Sequence, residues 1–434
     1  MTQAFPAPHP DLVTAIIASG IGDQPVTHLV ETAMQRLVEA GVPLHRVHVG
    51  FRILHPLFDG MAITWTEEAG VEVEYFEHLD EDNSVFRLSP FYYMLSRGEA
   101  EFRARLDHDP CVADFPLLTE LKDKGHTDYL ALIVAFGGAP LEPETHDGLG
   151  TSWTTRCPGG FTEAHVASMR LVLAPLALAL RVVIKDEITK NALNTFHGPL
   201  VGGRILAGTI KRGAGERLAA ALWYSDLRNS TGLADQLPVD AFLDLLNVYF
   251  DCAAGAVMEE GGQVLDIVGD AILAFFPADD DGEEEACAAA LRAAAKAQSH
   301  LAAMKAEGCP RAREIAFGVG VHFGDVVFGN AGTAARLKFG VIGRAVNEVA
   351  RTQDMSKLLK QPVVATDAVA SRVNFSAASS GGPNGAMKLT DLGSHELRGI
   401  PTPHRLWALD VGGPPVAVSR DRPAMTKEGE DALK

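Results

Sequence analysis

At 434 residues the chain is long enough for two or three domains, each able to bury its own core. Apolar residues make up 47% and charged residues 22%, a globular balance that excludes wholesale disorder. The 38 basic against 56 acidic residues leave a net charge of −18, which excludes non-specific adhesion to nucleic acid or an anionic membrane while allowing a local basic site for phosphates.

Taken in order, the first residues, MTQAFPAPHPDLV, lack a basic start and a long apolar stretch, so no signal peptide is expected. A helix is expected over about 24–40. HVGFRILHP, MAITWTEE, VEVEYFEHL and YLALIVAFGG alternate β-branched, aromatic and polar residues and predict strands. A helical pattern then runs over 161–197, with Thr162 as its cap. Its most apolar stretch, Leu171 to Leu180, contains Pro175 and lies between Arg170 and Arg181. That falls far short of the roughly 20 residues a spanning helix needs, so no membrane span is expected. His45, His48 and His55 invite a haem or metal reading, but beside apolar strands they are better explained as packed or surface histidines. Trp65 and Tyr75 read as core. Residues 1–197, chiefly through GTSWTTRCPGGFTEAHVASM, resemble the GAF-type sensor domains often placed ahead of bacterial signalling enzymes. The resemblance implies an α/β domain with an unidentified sensory ligand.

Residues 198–217, GPLVGGRILAGTIKRGAGER, are rich in glycine and basic residues and read as a linker. LAAALWYSD (218–226) predicts an apolar strand ending on Asp226. A helix follows over 238–259, with Phe242, Leu245, Leu246, Tyr249 and Phe250 at helical spacing. GGQVLDIVGDAILAFFP predicts two strands around Gly269-Asp270, a type I′ hairpin signal. The acidic run ADDDGEEEA (278–286) reads as a solvated loop at the start of an Ala-rich helix over 282–306. IAFGVGVHFGDVVFGNAG predicts another hairpin, PTPHRLWALD a last strand, and the tail from about 411 disorder. The order β-α-β-β-α-β is that of ferredoxin-like folds, so the class expected for the whole chain is α/β (α+β). The five cysteines, Cys111, Cys157, Cys252, Cys287 and Cys309, form no C-x-x-C and read as free thiols of a reducing, cytoplasmic compartment.

Asp226 and Asp270 each have an ordinary explanation, as a turn cap and as a hairpin position. In a ferredoxin-like sheet, however, the first strand lies beside the hairpin, so the two carboxylates converge. Without a cation between them one would stay protonated. Hard oxygens, with phosphates sharing the coordination, suit Mg²⁺ or Mn²⁺. The backbone of Asn229, Ser230 and Thr231, opening the next helix, is placed to donate N–H groups to phosphate.

YSDLRNST, GGQVLDIVGDAILAFFP, GVHFGDVVFGNAG, KFGVIGRAVNEVAR and LGSHELRGIPTPHRLWAL span roughly 218–409. In order and spacing they resemble the catalytic domain of the class III nucleotidyl cyclases, the adenylate and guanylate cyclase family. The resemblance implies a domain over 218–410 with two Mg²⁺ or Mn²⁺ ions on Asp226, Asp270 and the Leu227 carbonyl. It implies attack of the ribose 3′-oxygen on the α-phosphorus of a nucleoside triphosphate, with loss of pyrophosphate. Asn347 and Arg351, on one helix face, would orient the ribose and stabilise the transition state. Arg398 stands where the family usually has a phosphate-contacting lysine. The metal carboxylates of one subunit face the Asn/Arg pair of another in this family, which implies a homodimer.

Two departures bear on the base. Adenylate cyclases of the family carry lysine at the position of Asp266, and Asp, Thr or Ser at that of Gly340; guanylate cyclases tend to an acidic and then a small residue. A carboxylate can accept both N1–H and N2–H₂ of guanine, so GTP stands ahead of ATP, with a pyrimidine triphosphate as an outside alternative. Lys338, where many members have Asp, lies on the strand face of Gly340, and a swapped ion pair with Asp266 would say little about the base. With both positions changed, and Arg344 in place of the usual Asp or Pro, a catalytically inactive nucleotide-binding regulatory module is the alternative of another class. The intact Asp226/Asp270 and Asn347/Arg351 pairs favour the enzyme.

Overall fold

The computed structural model describes residues 10–22, 24–54, 58–77, 84–137, 142–143, 147–278, 282–373 and 388–411. The chain divides into two compact units, Met1–Thr195 and Phe196–Lys434.

The first unit opens with α1 (Pro10–Ile21), which the sequence reading missed, and α2 (Val26–Glu39). Strands β1 (Arg46–Arg52), β2 (Phe58–Thr66), β3 (Gly70–Glu77), β4 (Glu101–Arg105), β5 (Asp128–Ala135) and β6 (Gly148–Thr155) form one antiparallel sheet in the order β3-β2-β1-β6-β5-β4. Helices α3 (Ser84–Arg87), α4 (Pro90–Arg97) and α5 (Pro116–Asp123) lie between the strands in sequence, and α6 (Glu163–His197) follows the last. The His165 N–H donates to Thr162 Oγ1 at 3.2 Å, the expected cap of α6. Strand alternation divides the core. Val47, Val49, Leu149 and Trp153 pack with α1, α2 and α6, whereas Tyr129, Ala131 and Ile133 pack with α4 and α5.

Trp65 joins the first of these cores, but Tyr75 is 53% exposed, on the edge strand β3 with Val73 and Phe76 also exposed. His48 is packed against Thr64, and His55 lies outside the described residues. The apolar stretch judged too short to span a membrane belongs to a helix of 35 residues, because Pro175 sits inside α6 without ending it. By length and composition alone, α6 and a helix of the second unit (Val239–Glu259) would suffice to cross a membrane. Each buries an apolar side in its own unit: Val166, Met169, Val172, Leu176 and Leu180 in α6, and Leu245, Tyr249, Cys252 and Val257 in the other.

In the second unit, residues 198–217, expected to be a linker, are structured. They hold α7 (Pro199–Leu206) and the start of β7 (Gly215–Leu227). Pro199 presets the first helical turn, and Val201 is buried beside Phe275 and Phe328; together these outweigh the glycine penalty of about 1 kcal/mol per residue. The chain continues through α8 (Ser230–Gln236), α9 (Val239–Glu259), β8 (Gln263–Val268), β9 (Ala271–Ala278) and α10 (Glu283–Ala306). Next come β10 (Phe317–Gly332), β11 (Leu337–Ile342), α11 (Arg344–Leu358), β12 (Val363–Thr366), α12 (Asp367–Ala370), β13 (Leu389–His395) and β14 (His404–Leu409). Of the acidic run, Glu283 to Glu285 form the first turn of α10, and 279–281 lie outside the described residues, as does the tail from 412.

The order β10-β7-β9-β8 is the ferredoxin-like arrangement, extended beyond β10 by β12, β14 and β13. One face carries α9 and α10 over Trp223, Ile272 and Phe317; on the other, Ala345 and Val349 of α11 pack with Leu222, Phe275 and Phe328. The stretch expected to form a hairpin is the single strand β10, paired with β7 from Phe317 to Gly329; its hairpin partner is β11. Its glycines serve packing. A Cβ at Gly320 would stand 2.5 Å from the Gln353 nitrogen, and one at Gly324 would stand 2.9 Å from the Ala345 Cβ. Glycine therefore lets α11 lie directly on the sheet. At the β8–β9 turn φ is positive at Gly269 (63°) but not at Asp270, so the turn is not type I′, which needs both; glycine comes first, as in type II′.

Candidate active site

Asp226 stands near the end of β7, in register with Ala271 of β9 on one side and Gly318 of β10 on the other. The hairpin turn thereby delivers Asp270 beside it, and the Leu227 N–H donates to the Asp270 carbonyl at 3.4 Å. The Asp226 carboxyl is pushed up to about 6, first by burial, then by the charge of Asp270 and the proton the two share. Asp354 adds to this and Lys357 opposes it. A pair that retains a proton to offset its own repulsion is one where a divalent cation can replace that proton. Among the described residues no third His, Cys, Asp or Glu completes a metal-binding group with them. An ion here would draw its further ligands from the Leu227 carbonyl, water or phosphate, the oxygen-rich shell that Mg²⁺ and Mn²⁺ accept.

The chain leaves β7 through Asn229, whose φ of 60° turns it sharply into α8. The first helical bond runs from the Leu233 N–H to the Asn229 carbonyl, so the N–H groups of Ser230 and Thr231 have no partner within α8. Arg228, which the sequence reading passed over, donates from Nη2 to the Ser356 and Gln361 carbonyls at 3.2 and 3.0 Å. It ties the carboxylate-bearing turn to the C-terminal end of α11. The available signal was a charged residue at the end of an otherwise apolar strand.

Helix α11 runs antiparallel to β10: Ser356 lies against Gly318, Gln353 and Val349 against Gly320, and Ala345 against Gly324. Asp226, level with Gly318, is therefore at the Ser356 end of the helix. Asn347, exposed near the other end, is displaced from Ser356 by about 14 Å along the axis at 1.5 Å per residue. Arg351, one turn from Asn347, pairs with Asp354 at 2.9 Å. The structure thus brings Asp226 and Asp270 together but leaves Asn347 well away from them in the same chain.

Glu348, only 9% exposed, anchors α11. It accepts from Arg344 Nε at 2.8 Å and meets His322 Nε2 at 3.1 Å and His404 Nε2 at 3.5 Å. His322 also bonds Thr366 Oγ1 at 2.9 Å, and burial pushes it down to about 4 although Glu348 pulls the other way. Arg344, noted only as a departure, thus serves this anchor. Arg398 is exposed in the turn between β13 and β14, and no hydrogen bond or ion pair ties it to the carboxylates among the described residues. Asp266 and Lys338, on β8 and β11, form the swapped ion pair through Asp266 Oδ2. A Cβ at Gly340 would meet nothing within 4 Å, so the space beside the pair is open.

The family model for the adenylate and guanylate cyclase catalytic domain matches residues 216–408. Those residues form a domain of this family. It is 32% identical to an adenylate cyclase of Anabaena cylindrica over 169 residues, 37% of this chain and 32% of that protein. To the terminal-differentiation-specific adenylate cyclase of Dictyostelium discoideum it is 31% identical over 145 residues, 33% of this chain and 7% of that protein. The match spans less than two thirds of the length of either relative. Among solved structures, a bacterial light-regulated adenylyl cyclase aligns with a TM-score of 0.45 at 20% identity, covering 56% of this chain and 65% of that one.

The cyclase domain should show a pH signature at Asp226. Its pKa is raised on folding, so the stability contributed by its extra proton is fully present below the ordinary carboxylate range. That contribution is lost as pH climbs through about 6. A cation held by Asp226 would displace the same proton, so if this site takes Mn²⁺ its apparent affinity is expected to fall below pH 6, approaching tenfold per unit. Titration of Mn²⁺ against intrinsic fluorescence between about pH 5 and 8 measures this; a flat profile would show that Asp226 does not take the ion.

Proposed function

We propose that the second unit converts a purine nucleoside triphosphate into its 3′,5′-cyclic monophosphate and pyrophosphate, in second-messenger signalling. The observation that carries this is the placement of Asp226 and Asp270 side by side, next to the N–H groups of Ser230 and Thr231 that have no partner within α8. Two Mg²⁺ or Mn²⁺ ions, when bound, would activate the 3′-hydroxyl and neutralise the triphosphate. Asp226, Asp270 and the Leu227 carbonyl would hold them. The backbone of Asn229, Ser230 and Thr231 would meet phosphate oxygens, and Arg398 would reach the triphosphate. Asn347 would orient the ribose. Arg351 would exchange Asp354 for the charge that builds at the α-phosphate. Because Asn347 stands so far from the carboxylates of its own chain, a second copy completes each site, and the working form is a cytoplasmic homodimer with two equivalent sites. The first unit, a six-stranded sheet layered with helices, serves as the GAF-like sensor.

On the base, the Lys338–Asp266 pair supports ATP. With Oδ2 held by lysine, the edge offers one donor beside one free acceptor, which complements N1 and the N6 amino group of adenine. The second reading, GTP, keeps the support of a carboxylate next to a small residue. Product analysis of the purified protein with Mn²⁺ and each of the four ribonucleoside triphosphates tests both: cyclic AMP should dominate. Nucleotide binding without pyrophosphate release would instead make the unit a regulatory module.

A further inference from the structure

The face of the first sheet toward α4 and α5 is lined by Met94, Leu95, Leu118, Leu121, Ala131 and Ile133, with one polar block set into it. Arg46 of β1, Thr154 of β6 and Tyr129 of β5 stand in one cross-strand row. His48, Ser152 and Ala131 stand in the next. Directly opposed residues of antiparallel strands project from the same face, so all six side chains share it. Phe91 of α4 lies over the following row: a Cβ at Gly150 would come within 3.1 Å of its ring.

Tyr129 and Ser152 are 0% and 1% exposed. Arg46 Nη1 is buried without a hydrogen-bond partner among the described residues, and the equally buried Tyr129 OH and Ser152 Oγ have only each other. Their neighbours are satisfied: Thr154 Oγ1 donates to the Arg46 carbonyl at 3.3 Å, and His48 bonds Thr64 at 3.1 Å. Two hydroxyls that share one hydrogen bond leave one proton unmet, and with the Arg46 Nη1 donors beside it that is not expected of a finished core, because each carries its desolvation penalty.

The charge is one-sided. Glu120 and Glu74 act on Arg46 only through the field, with no carboxylate in ion-pair contact with it among the described residues. His48 is pushed down to about 4 by burial and then by Arg46. His126 is pushed to about 4 by burial and then by Arg156, His45, Arg46 and Lys124. Arg156 Nε and His126 Nδ1 are also buried without partners. Guanidinium nitrogens can only donate, and the two hydroxyls can turn to donate as well.

We propose that this block binds a small oxyanion, the carboxylate or phosphate group of a ligand, with Arg46 supplying the charge and Tyr129 and Ser152 donating to its oxygens. Such a group satisfies the orphaned donors and neutralises the guanidinium together, in the forked geometry arginine favours. The site lies wholly within the first unit, and its test reads binding, so its failure leaves the cyclase reading untouched.

The experiment uses the full-length protein, dialysed free of phosphate and carboxylate buffers. Sodium phosphate and sodium acetate are titrated separately by calorimetry and by thermal melting, against sodium chloride at constant ionic strength. At least one of the two should bind saturably, and which one does separates a phosphate from a carboxylate ligand. Arg46→Gln should weaken that binding by about tenfold or more, and Tyr129→Phe several-fold. Tyr129→Phe removes a hydroxyl whose only partner is Ser152 and leaves the ring in place; it keeps the test valid if Arg46→Gln does not fold. The proposal is overturned if neither anion saturates, or if binding is indifferent to both substitutions.

Discussion

Asp270→Ala and Arg351→Ala should each lose about a thousandfold or more of the cyclase activity, and an equal mixture of the two should recover about a quarter of it. Asp270 is half of the carboxylate pair, and its loss removes both a proposed metal ligand and the charge that raises the Asp226 pKa. Arg351 lies midway along α11, one turn from Asn347, where Asp354 engages it. If the two halves of a site come from different chains, a dimer of one variant with the other has one site bearing both lesions and one bearing neither. Random pairing makes about half of all dimers mixed, each with one intact site of two, hence the quarter. Co-expression under separate affinity tags isolates the mixed dimer for assay. A mixed dimer that forms but stays inactive would place the whole site in one chain, against the helix geometry.

Lys338→Ala should move the ratio of kcat/KM for ATP over GTP at least about tenfold toward GTP. In the parent protein Lys338 occupies Oδ2 of Asp266, so one carboxylate oxygen is left for the base. Without the lysine both oxygens can accept the N1–H and N2–H₂ of guanine, and the donor for adenine N1 is gone. The converse change, Asp266→Lys with Gly340→Thr, should deepen the preference for ATP, and the open space beside Gly340 gives the new side chain room. Competition between the two triphosphates in one assay measures the ratio directly. An unchanged ratio in Lys338→Ala would show that the base is read elsewhere.

Much of this protein was legible from short, local patterns. The apolar strand ending on Asp226 and the two-residue turn carrying Asp270 are both local signals. Once the order β-α-β-β-α-β is read, topology puts that strand beside that hairpin. The family showed itself the same way, in five brief segments whose order survives any error in the elements between them. Where a residue type has two structural uses, local pattern misled. The glycines of β10 read as turns, yet they are the floor on which α11 lies, and those of residues 202–203 did not prevent a helix once Val201 had a core to enter.

Tertiary structure alone decided what depends on side chains far apart in sequence. The ion pair of Asp266 with Lys338 joins residues on strands that are not neighbours in the sheet. The Glu348 anchor gathers β10, β14 and α11, and Arg228 reaches across to the end of that same helix. The direction in which α11 crosses β10 separates Asn347 from the carboxylates and makes a second copy necessary in the proposed mechanism. The sequence by itself pointed to most of the elements, to the cyclase domain and to the residues proposed to carry chemistry, because these rest on periodicity and spacing within short windows. Which charges meet, and at which end of a helix, follows from how finished elements pack, and no local window encodes that.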